Sequence, residues 1–185
     1  MPATVSSARS KLTRFSILVG DITHSRVDAI VNAANTTLLG GSGVDGAIHT
    51  AAGPELLAEC RTLGGCETGQ AKLTRGYALP SKYVIHTPGP IWRGGSYGEA
   101  ELLASCYRSC LELAVKHDLR SVDFSSISTG VYGYPLREAA EIALRTILEF
   151  LVEHDSLEQV RMVCHREAIA SVYREVLCKL SSDHP

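Results

Sequence analysis

The chain lacks any long apolar stretch and any concentration of positive charge. A bilayer-spanning helix needs about 20 mostly apolar residues in a row, and no such run occurs, so no membrane-spanning helix is expected. The 18 Lys and Arg residues are scattered, and the formal net charge is −2. Because generic nucleic-acid binding requires a concentrated positive face, the charge pattern argues against direct binding of DNA or RNA.

The sequence also lacks a CxxC pair, although it contains six cysteines: Cys60, Cys66, Cys106, Cys110, Cys164 and Cys178. The Ser- and Ala-rich N-terminus has no apolar centre and is not typical of a secretory signal. We therefore expect reduced thiols and a cytoplasmic location rather than a disulfide framework. The spacing of His49, Cys60 and Cys66 matches no compact zinc pattern, so no metal site is expected.

The length of 185 residues fits one domain with a sizeable core. Hydrophobic residues make up 45% and charged residues 21% of the chain, which is ordinary for a globular protein. We expect residues 1–12 to form a disordered leader, 13–181 the folded domain and 182–185 a tail.

Segments with strand-like and helix-like patterns alternate along this domain. Strands are expected at 15–19, 28–31, 72–79, 83–86, 121–127 and 160–164, and helices at 44–52, 54–63, 99–116, 135–152 and 167–180. This alternation predicts an α/β sandwich with a largely parallel sheet between helices. In such sheets, ligands bind outside the carboxyl ends of the strands.

Three loops at predicted strand ends stand out: residues 20–23, 32–46 and 128–135. The last two are rich in glycine, which lets backbone N–H groups approach a ligand closely and allows positive φ. Loops that open a helix also direct unpaired N–H groups at an anion. Neither glycine-rich loop contains Lys or Arg. We therefore favour a pyrophosphate held by backbone dipoles over two simple tight turns.

The second loop contains the pattern GxGxxG at Gly41, Gly43 and Gly46. As a dinucleotide-binding fingerprint the match is weak, because Asp45 lies inside it, and no Walker A lysine follows. Asp45 begins a predicted helix, where the helix dipole favours its ionised form, and it suits chemistry on a sugar beside the phosphates. Its alternative role is a first-turn acid. His49 lies one turn further on the same face and is either a site residue or a structural histidine.

Taken together, these motifs resemble the macrodomain family, and within it the MacroD-type ADP-ribose hydrolases, which include O-acetyl-ADP-ribose deacetylases. The resemblance runs from about residue 15 to 180 and rests on GDIT at 20–23, VNAAN at 31–35, GGSGVDGAIH at 40–49 and ISTGVYGYP at 127–135, with CETGQA at 66–71 and YVIHT at 83–87. It implies a single macrodomain: a three-layer α/β/α sandwich with a mixed, mostly parallel sheet of six or seven strands.

The resemblance also implies the site residues. Adenine would lie against Asp21, Ile22 and His165, of which His165 replaces an aromatic ring. The pyrophosphate would contact two loops, formed by Gly41, Ser42, Gly43 and Val44 and by Ser128, Thr129, Gly130, Val131 and Tyr132. Asn32 and His49 complete the ligand-binding set. Ser42 stands where relatives often have glycine, and it is tolerated if its φ is not positive.

The implied catalytic residues are Asn35, which would bind the distal ribose hydroxyls, and Asp45, which would orient or activate a water near the anomeric carbon. The reaction would be hydrolysis of an ester to the distal ribose, with no metal or cofactor. The acyl group would come from Asp or Glu of mono-ADP-ribosylated proteins or from O-acetyl-ADP-ribose, and the substrate diphosphate could share or replace the role of Asp45. Two alternatives stay open: a non-catalytic ADP-ribose reader and an RNA-associated regulatory protein.

Overall fold

The computed structural model describes residues 13–182, which contain one six-stranded sheet with the order β1-β6-β5-β2-β4-β3. Its strands are β1 Phe15–Val19, β2 Ala29–Ala34, β3 Lys72–Arg75, β4 Tyr83–Pro88, β5 Ser121–Phe124 and β6 Gln159–Cys164. Only the β3–β4 pair is antiparallel within these residues. The predicted mixed, mostly parallel sheet is therefore confirmed, with six strands.

Helices cover both faces of the sheet: α1 Gly43–Ala52, α2 Pro54–Thr62, α3 Glu99–Lys116, α4 Leu136–Glu153 and α5 Glu167–Ser182. Strand β2 shows the division, since Ala29 and Val31 join the apolar cluster under α3, α4 and α5, whereas Ile30 joins the cluster under α1 and α2. Successive side chains of β2 therefore point to opposite faces of the sheet. Both faces are buried, as is usual for a parallel sheet. The three-layer sandwich is confirmed.

Several element bounds differ from the sequence-based prediction. Strand β3 ends at Arg75 because Tyr77 adopts φ 52° and Gly76 N–H bonds Lys82 O at 2.8 Å, which turns the chain into β4. Strand β5 ends at Phe124, before the glycine-rich loop. Strand β2 continues through Ala34, so Asn32 lies inside the sheet rather than in a loop. A short 3-10 helix, Ile22–His24, was not predicted.

The six cysteines differ in exposure. All six are free, and only Cys178 is exposed. Cys106 and Cys110 share the fully buried side of α3, as their spacing predicts. No helix within residues 13–182 is long and apolar enough to cross a membrane. The predicted leader and residues 183–185 of the predicted tail lie outside the described residues, and Ser182 belongs to α5.

Candidate functional site

The three predicted loops meet at one edge of the sheet. Strands β1, β2, β4, β5 and β6 run parallel, so their carboxyl ends share that edge. Residues 20–23 follow β1, residues 35–42 follow β2 and residues 125–135 follow β5. The ends of β1 and β6 are joined by a 2.9 Å bond from Gly20 N–H to Cys164 O, which brings Asp21 and His165 to neighbouring strand ends.

Asp21 shapes the loop after β1. Its Oδ1 accepts hydrogen bonds from Thr23 N–H at 2.9 Å and Thr23 Oγ1 at 2.6 Å, which caps the 3-10 helix. These bonds hold the pKa of the Asp21 carboxyl below its ordinary value. Ile22 is buried beneath it, while Asp21 and His165 are exposed. The ionised carboxylate of Asp21 and the exposed imidazole of His165 therefore lie at neighbouring strand ends.

Asn35 organises the loop after β2. Its Oδ1 accepts Thr37 N–H at 3.1 Å, and its Nδ2 donates to Gly40 O at 2.9 Å. This folded loop brings Gly41 against Asp45: a Cβ atom at Gly41 would lie 3.0 Å from Asp45 Oδ2 and 3.4 Å from Asn35 Nδ2. The missing side chain of Gly41 thus leaves room beside both predicted catalytic residues.

The same loop passes into the N-terminus of α1. Ser42 has φ −99° and ψ 179°, an extended conformation open to any residue, so the condition set for tolerating serine here is met. The Ser42 side chain makes no capping hydrogen bond within residues 13–182, which leaves the first N–H groups of α1 without a side-chain partner from this residue. Gly46 is required by space, since its Cβ would lie 2.6 Å from Gly41 O.

Asp45 is the buried carboxylate of the site, with only 4% of the residue exposed. Its Oδ1 accepts a 2.8 Å hydrogen bond from Asn32 Nδ2. His49 Nε2 lies 3.5 Å from the same oxygen, an electrostatic contact without hydrogen-bond geometry. Burial raises the pKa of Asp45, and the contacts with Asn32 and His49 offset this only in part. The position of Asp45 in the first turn of α1 favours the ionised form, whereas burial favours the protonated form.

Two residues that sequence reasoning missed continue this polar network below Asp45. His86 and Thr74 are buried on β4 and β3. Asn32 Nδ2 lies 3.2 Å from His86 Nδ1, and His86 Nε2 lies 2.8 Å from Thr74 Oγ1. Burial, with a smaller effect of His49, lowers the pKa of His86 to about 3, so the ring is neutral. A histidine inside the apolar run YVIHT was the available signal.

Cys60 also approaches His86, with its Sγ 3.9 Å from Nε2. Burial raises the pKa of the Cys60 thiol to about 11, which disfavours the thiolate. A nucleophilic Cys–His pair would need the opposite shift. Within residues 13–182, no group of three or more His, Cys, Asp or Glu side chains is placed to hold a metal ion.

The loop after β5 has a strained backbone. Ser128 is buried with φ 64°, a left-handed conformation that is costly for a residue with a Cβ. Its carbonyl accepts Tyr134 N–H at 2.9 Å. Gly89, beyond β4, packs so closely that a Cβ there would lie 2.1 Å from Ser128 Oγ. Close packing therefore holds Ser128 in place.

Hydroxyl groups from two helices support this loop from below. Tyr107 OH of α3 accepts Ile127 N–H at 3.2 Å. Tyr173 OH of α5 lies 2.8 Å from Ser126 Oγ, which in turn accepts from Thr129 Oγ1 at 2.8 Å. On the outside, Trp92 N–H donates to Tyr132 O at 2.9 Å. Hydrogen bonds therefore hold the loop on two sides.

The predicted pyrophosphate loops thus lie at one edge of the sheet, although their members differ in exposure. Gly41, Ser42, Gly43 and Gly130 are exposed, Val44, Thr129 and Tyr132 are half-buried, and Val131 is 86% exposed. Asn32, which was predicted to contact ligand, is instead fully buried beneath Asp45. Its place is therefore within the supporting network.

Comparison with known proteins finds one family. The Macro domain family model matches residues 31–143. An ADP-ribose glycohydrolase MACROD2 from Xenopus laevis is 53% identical over 178 residues, covering 95% of this chain and 43% of that protein. An O-acetyl-ADP-ribose deacetylase from Salmonella gallinarum is 51% identical over 175 residues, covering 92% and 98%. The Trypanosoma brucei macrodomain in complex with ADP-ribose superposes with a TM-score of 0.86 at 48% identity, covering 91% of this chain and 71% of that one.

Proposed function

The chain belongs to the macrodomain family, and on that basis we propose that it binds ADP-ribose and hydrolyses an ester between the distal ribose and an acyl group. The observation that carries the proposal is the buried Asp45 carboxylate beside Asn35 and Gly41. The names of the Xenopus and Salmonella relatives support hydrolysis at ADP-ribose. The ligand complex of the Trypanosoma macrodomain supports binding.

Binding would follow the three loops. Adenine would lie at the ionised Asp21, with Ile22 and His165 beside it, because an ionised carboxylate is a strong acceptor for an amino group. The pyrophosphate would lie between the N-terminus of α1 and the loop that begins at Ser128, where backbone N–H groups supply positive dipoles. The distal ribose would then face Asn35 and Asp45.

In the chemical step, Asp45 would take a proton from a water molecule, and the water oxygen would attack the ester. The bond between the acyl carbon and the ribose oxygen breaks, the ribose oxygen takes up the proton held by Asp45, and the products are ADP-ribose and a free acid. A base with a pKa raised toward the working pH is more effective at this proton transfer, provided that it is ionised. The substrate diphosphate would share this role if it lies against the same water.

The experiment is release of ADP-ribose from a protein mono-ADP-ribosylated on Glu, together with deacetylation of O-acetyl-ADP-ribose. We expect release by the wild type and a loss of about 10² to 10⁴ in rate for Asp45→Ala, while calorimetric binding of ADP-ribose persists. Asn35→Ala should also fail, with weaker binding. Tight binding without release of either acyl group by the wild type would instead make the chain a reader.

The acyl group of the ester has two candidate sources, which are Asp or Glu side chains of modified proteins and acetate. The two assays together compare the rates of hydrolysis for these substrates. The RNA-associated alternative would require binding that weakens steeply with salt. The scattered basic residues give it no support. The cytoplasmic location expected from the sequence stays a prediction.

A further inference from the structure

A chain of buried polar side chains runs from the far strand of the sheet to Asp45. Strand β4 lies between β3 and β2, and in the sheet register Asn32 of β2 pairs with His86 of β4. The chain proceeds from Thr74 to His86, then to Asn32 and to Asp45, through contacts of 2.8, 3.2 and 2.8 Å. Each of these four residues is at most 4% exposed.

The orientation of the Asn32 amide sets the direction of every hydrogen bond in this chain. The Asn32 amide nitrogen carries two hydrogens, of which one goes to Asp45 Oδ1 and the other points at His86 Nδ1. His86 Nδ1 must therefore accept, and in a neutral imidazole the remaining hydrogen then lies on Nε2. That hydrogen is donated to Thr74 Oγ1. Only one tautomer of His86 satisfies all three contacts.

We propose that His86 is a positioning residue for hydrolysis: by accepting one N–H of Asn32, it directs the other at Asp45 Oδ1 and leaves Asp45 Oδ2 facing Gly41. A Cβ at Gly41 would lie 3.0 Å from Oδ2, whereas Oδ1 is the oxygen bound by Asn32. The catalytic part of this inference rests on the proposed function. The structural part, that His86 sets the state of Asp45, holds without a substrate.

The groups that face Asp45 define what the loss of His86 would change. His49 approaches from α1, Cys60 lies on α2, and His86 stands behind Asn32 on β4. With the thiol and the buried imidazole both neutral, Asn32 is the main hydrogen-bond donor to the carboxylate. If Asn32 loses its acceptor in His86, its donation to Asp45 weakens, and the pKa of Asp45 rises further.

Two substitutions of His86 by an amide residue test the roles of the two ring nitrogens one at a time. In His86→Asn, the amide oxygen takes the place of Nδ1 and keeps the acceptor for Asn32. In His86→Gln, the longer amide reaches toward Thr74 but leaves no acceptor at the position of Nδ1. Both variants bury an amide at one site, so thermal unfolding should show similar losses of stability, and they serve as matched controls for each other.

We expect His86→Gln to lower kcat about tenfold to a hundredfold, because a misdirected catalytic group is costly, with KM and ADP-ribose affinity within about twofold of wild type. The acid limb of its pH profile should move to higher pH, since Asp45 must be ionised to act. His86→Asn should retain most of kcat and the wild-type limb. Equal kcat losses in both variants with an unmoved acid limb would overturn the proposal.

A measurement without substrate keeps this test independent of the hydrolase assignment. The carboxyl carbon of Asp45 can be titrated by NMR in the wild type and both variants. We expect a higher Asp45 pKa in His86→Gln than in His86→Asn. If the wild type releases no ADP-ribose, the proposed function fails while this titration still decides the role of His86. Identical Asp45 titrations in all three proteins would refute that role.

Discussion

The loops after β2 and β5 lie at the same edge of the sheet, but the protein holds them in place by different means. Beneath the β2 loop lies a chain of polar side chains within the sheet, which ends on the Asp45 carboxylate. The β5 loop rests on tyrosine hydroxyls from α3 and α5 and contains a strained serine. We infer that the polar side chains beneath the β2 loop control the ionisation of Asp45. The supports of the β5 loop would instead fix the direction of its backbone N–H groups. Changes to the β2 loop should therefore affect kcat, and changes to the β5 loop should affect affinity.

Among substitutions that test this difference between the loops, Asp45→Asn should have the largest effect, and that effect should be on kcat. The amide cannot take a proton from water, so kcat should fall by about 10² to 10⁴, with ADP-ribose affinity little changed. Wild-type activity should fall as the pH is lowered, with an acid limb above the ordinary carboxyl range, because burial raises the pKa of Asp45. Stopped assays across pH measure both. An acid limb in the ordinary range of an exposed carboxyl would contradict the role of burial.

Gly89→Ala should disturb the β5 loop instead. The new Cβ would lie 2.1 Å from Ser128 Oγ and 2.6 Å from Ile127 Cγ2, so the loop must shift. We expect a loss of roughly 1–3 kcal/mol in the free energy of unfolding and about tenfold weaker ADP-ribose binding, with kcat at saturation nearly unchanged. Calorimetry and steady-state kinetics measure these effects.

The control for that substitution is Gly20→Ala, where a Cβ would meet no atom within 4 Å. Its stability should equal or slightly exceed that of the wild type, because alanine reduces the freedom of the unfolded chain. If Gly89→Ala lowered kcat and left ADP-ribose affinity unchanged, the assignment of kcat to the β2 loop and of affinity to the β5 loop would be wrong.

Tyr173→Phe removes one hydroxyl support from the β5 loop. It breaks the bond between Tyr173 OH and Ser126 Oγ, so we expect a loss of about 1 kcal/mol in stability and a modest fall in affinity. Chemical denaturation and ligand titration measure both. Tyr77→Phe is the matched control, because its hydroxyl bonds Glu59 at the exposed surface. Equal effects of the two changes would remove the special role of Tyr173.

Two serine-to-glycine changes compare backbone strain in the loops. Ser128 has φ 64°, so glycine relieves strain there, whereas Ser42 has φ −99° and gains nothing. Glycine in either place adds freedom to the unfolded chain. Ser128→Gly should therefore be more stable than Ser42→Gly by about 1 kcal/mol, as measured by thermal unfolding. The reverse order would show that Ser128 is not strained.

The smallest expected effect is on the pH dependence of the free energy of unfolding. A group whose pKa is raised by folding favours the folded state at low pH and loses that contribution as pH rises through its folded pKa. Asp45 is such a group. Asp45→Asn should therefore be slightly more stable than wild type at neutral pH, and this advantage should vanish on acidification. A constant difference between the two proteins at every pH would contradict this linkage.

The sequence predicted the parts of this site that depend on local pattern. The alternation of elements, the glycine-rich loops and the positions of Asn35 and Asp45 could be placed because each motif is contiguous. The supporting residues could not, because His86 meets Asn32 only through strand register and Thr74 only through the antiparallel β3. The burial of Asp45 could not be predicted either, because a helix start is visible in the sequence, whereas burial is a property of the assembled fold.

The raised pKa of Asp45 has an evolutionary consequence. The β2 loop takes its shape from Asn35, Thr37 and Gly40, and the start of α1 from Gly43 and Gly46, none of which depends on the carboxylate. On the proposed function, a lineage selected for stability alone would gain from replacing Asp45 and would keep the loops that bind ADP-ribose. A single substitution at this position would then separate a hydrolase from a protein that only binds ADP-ribose.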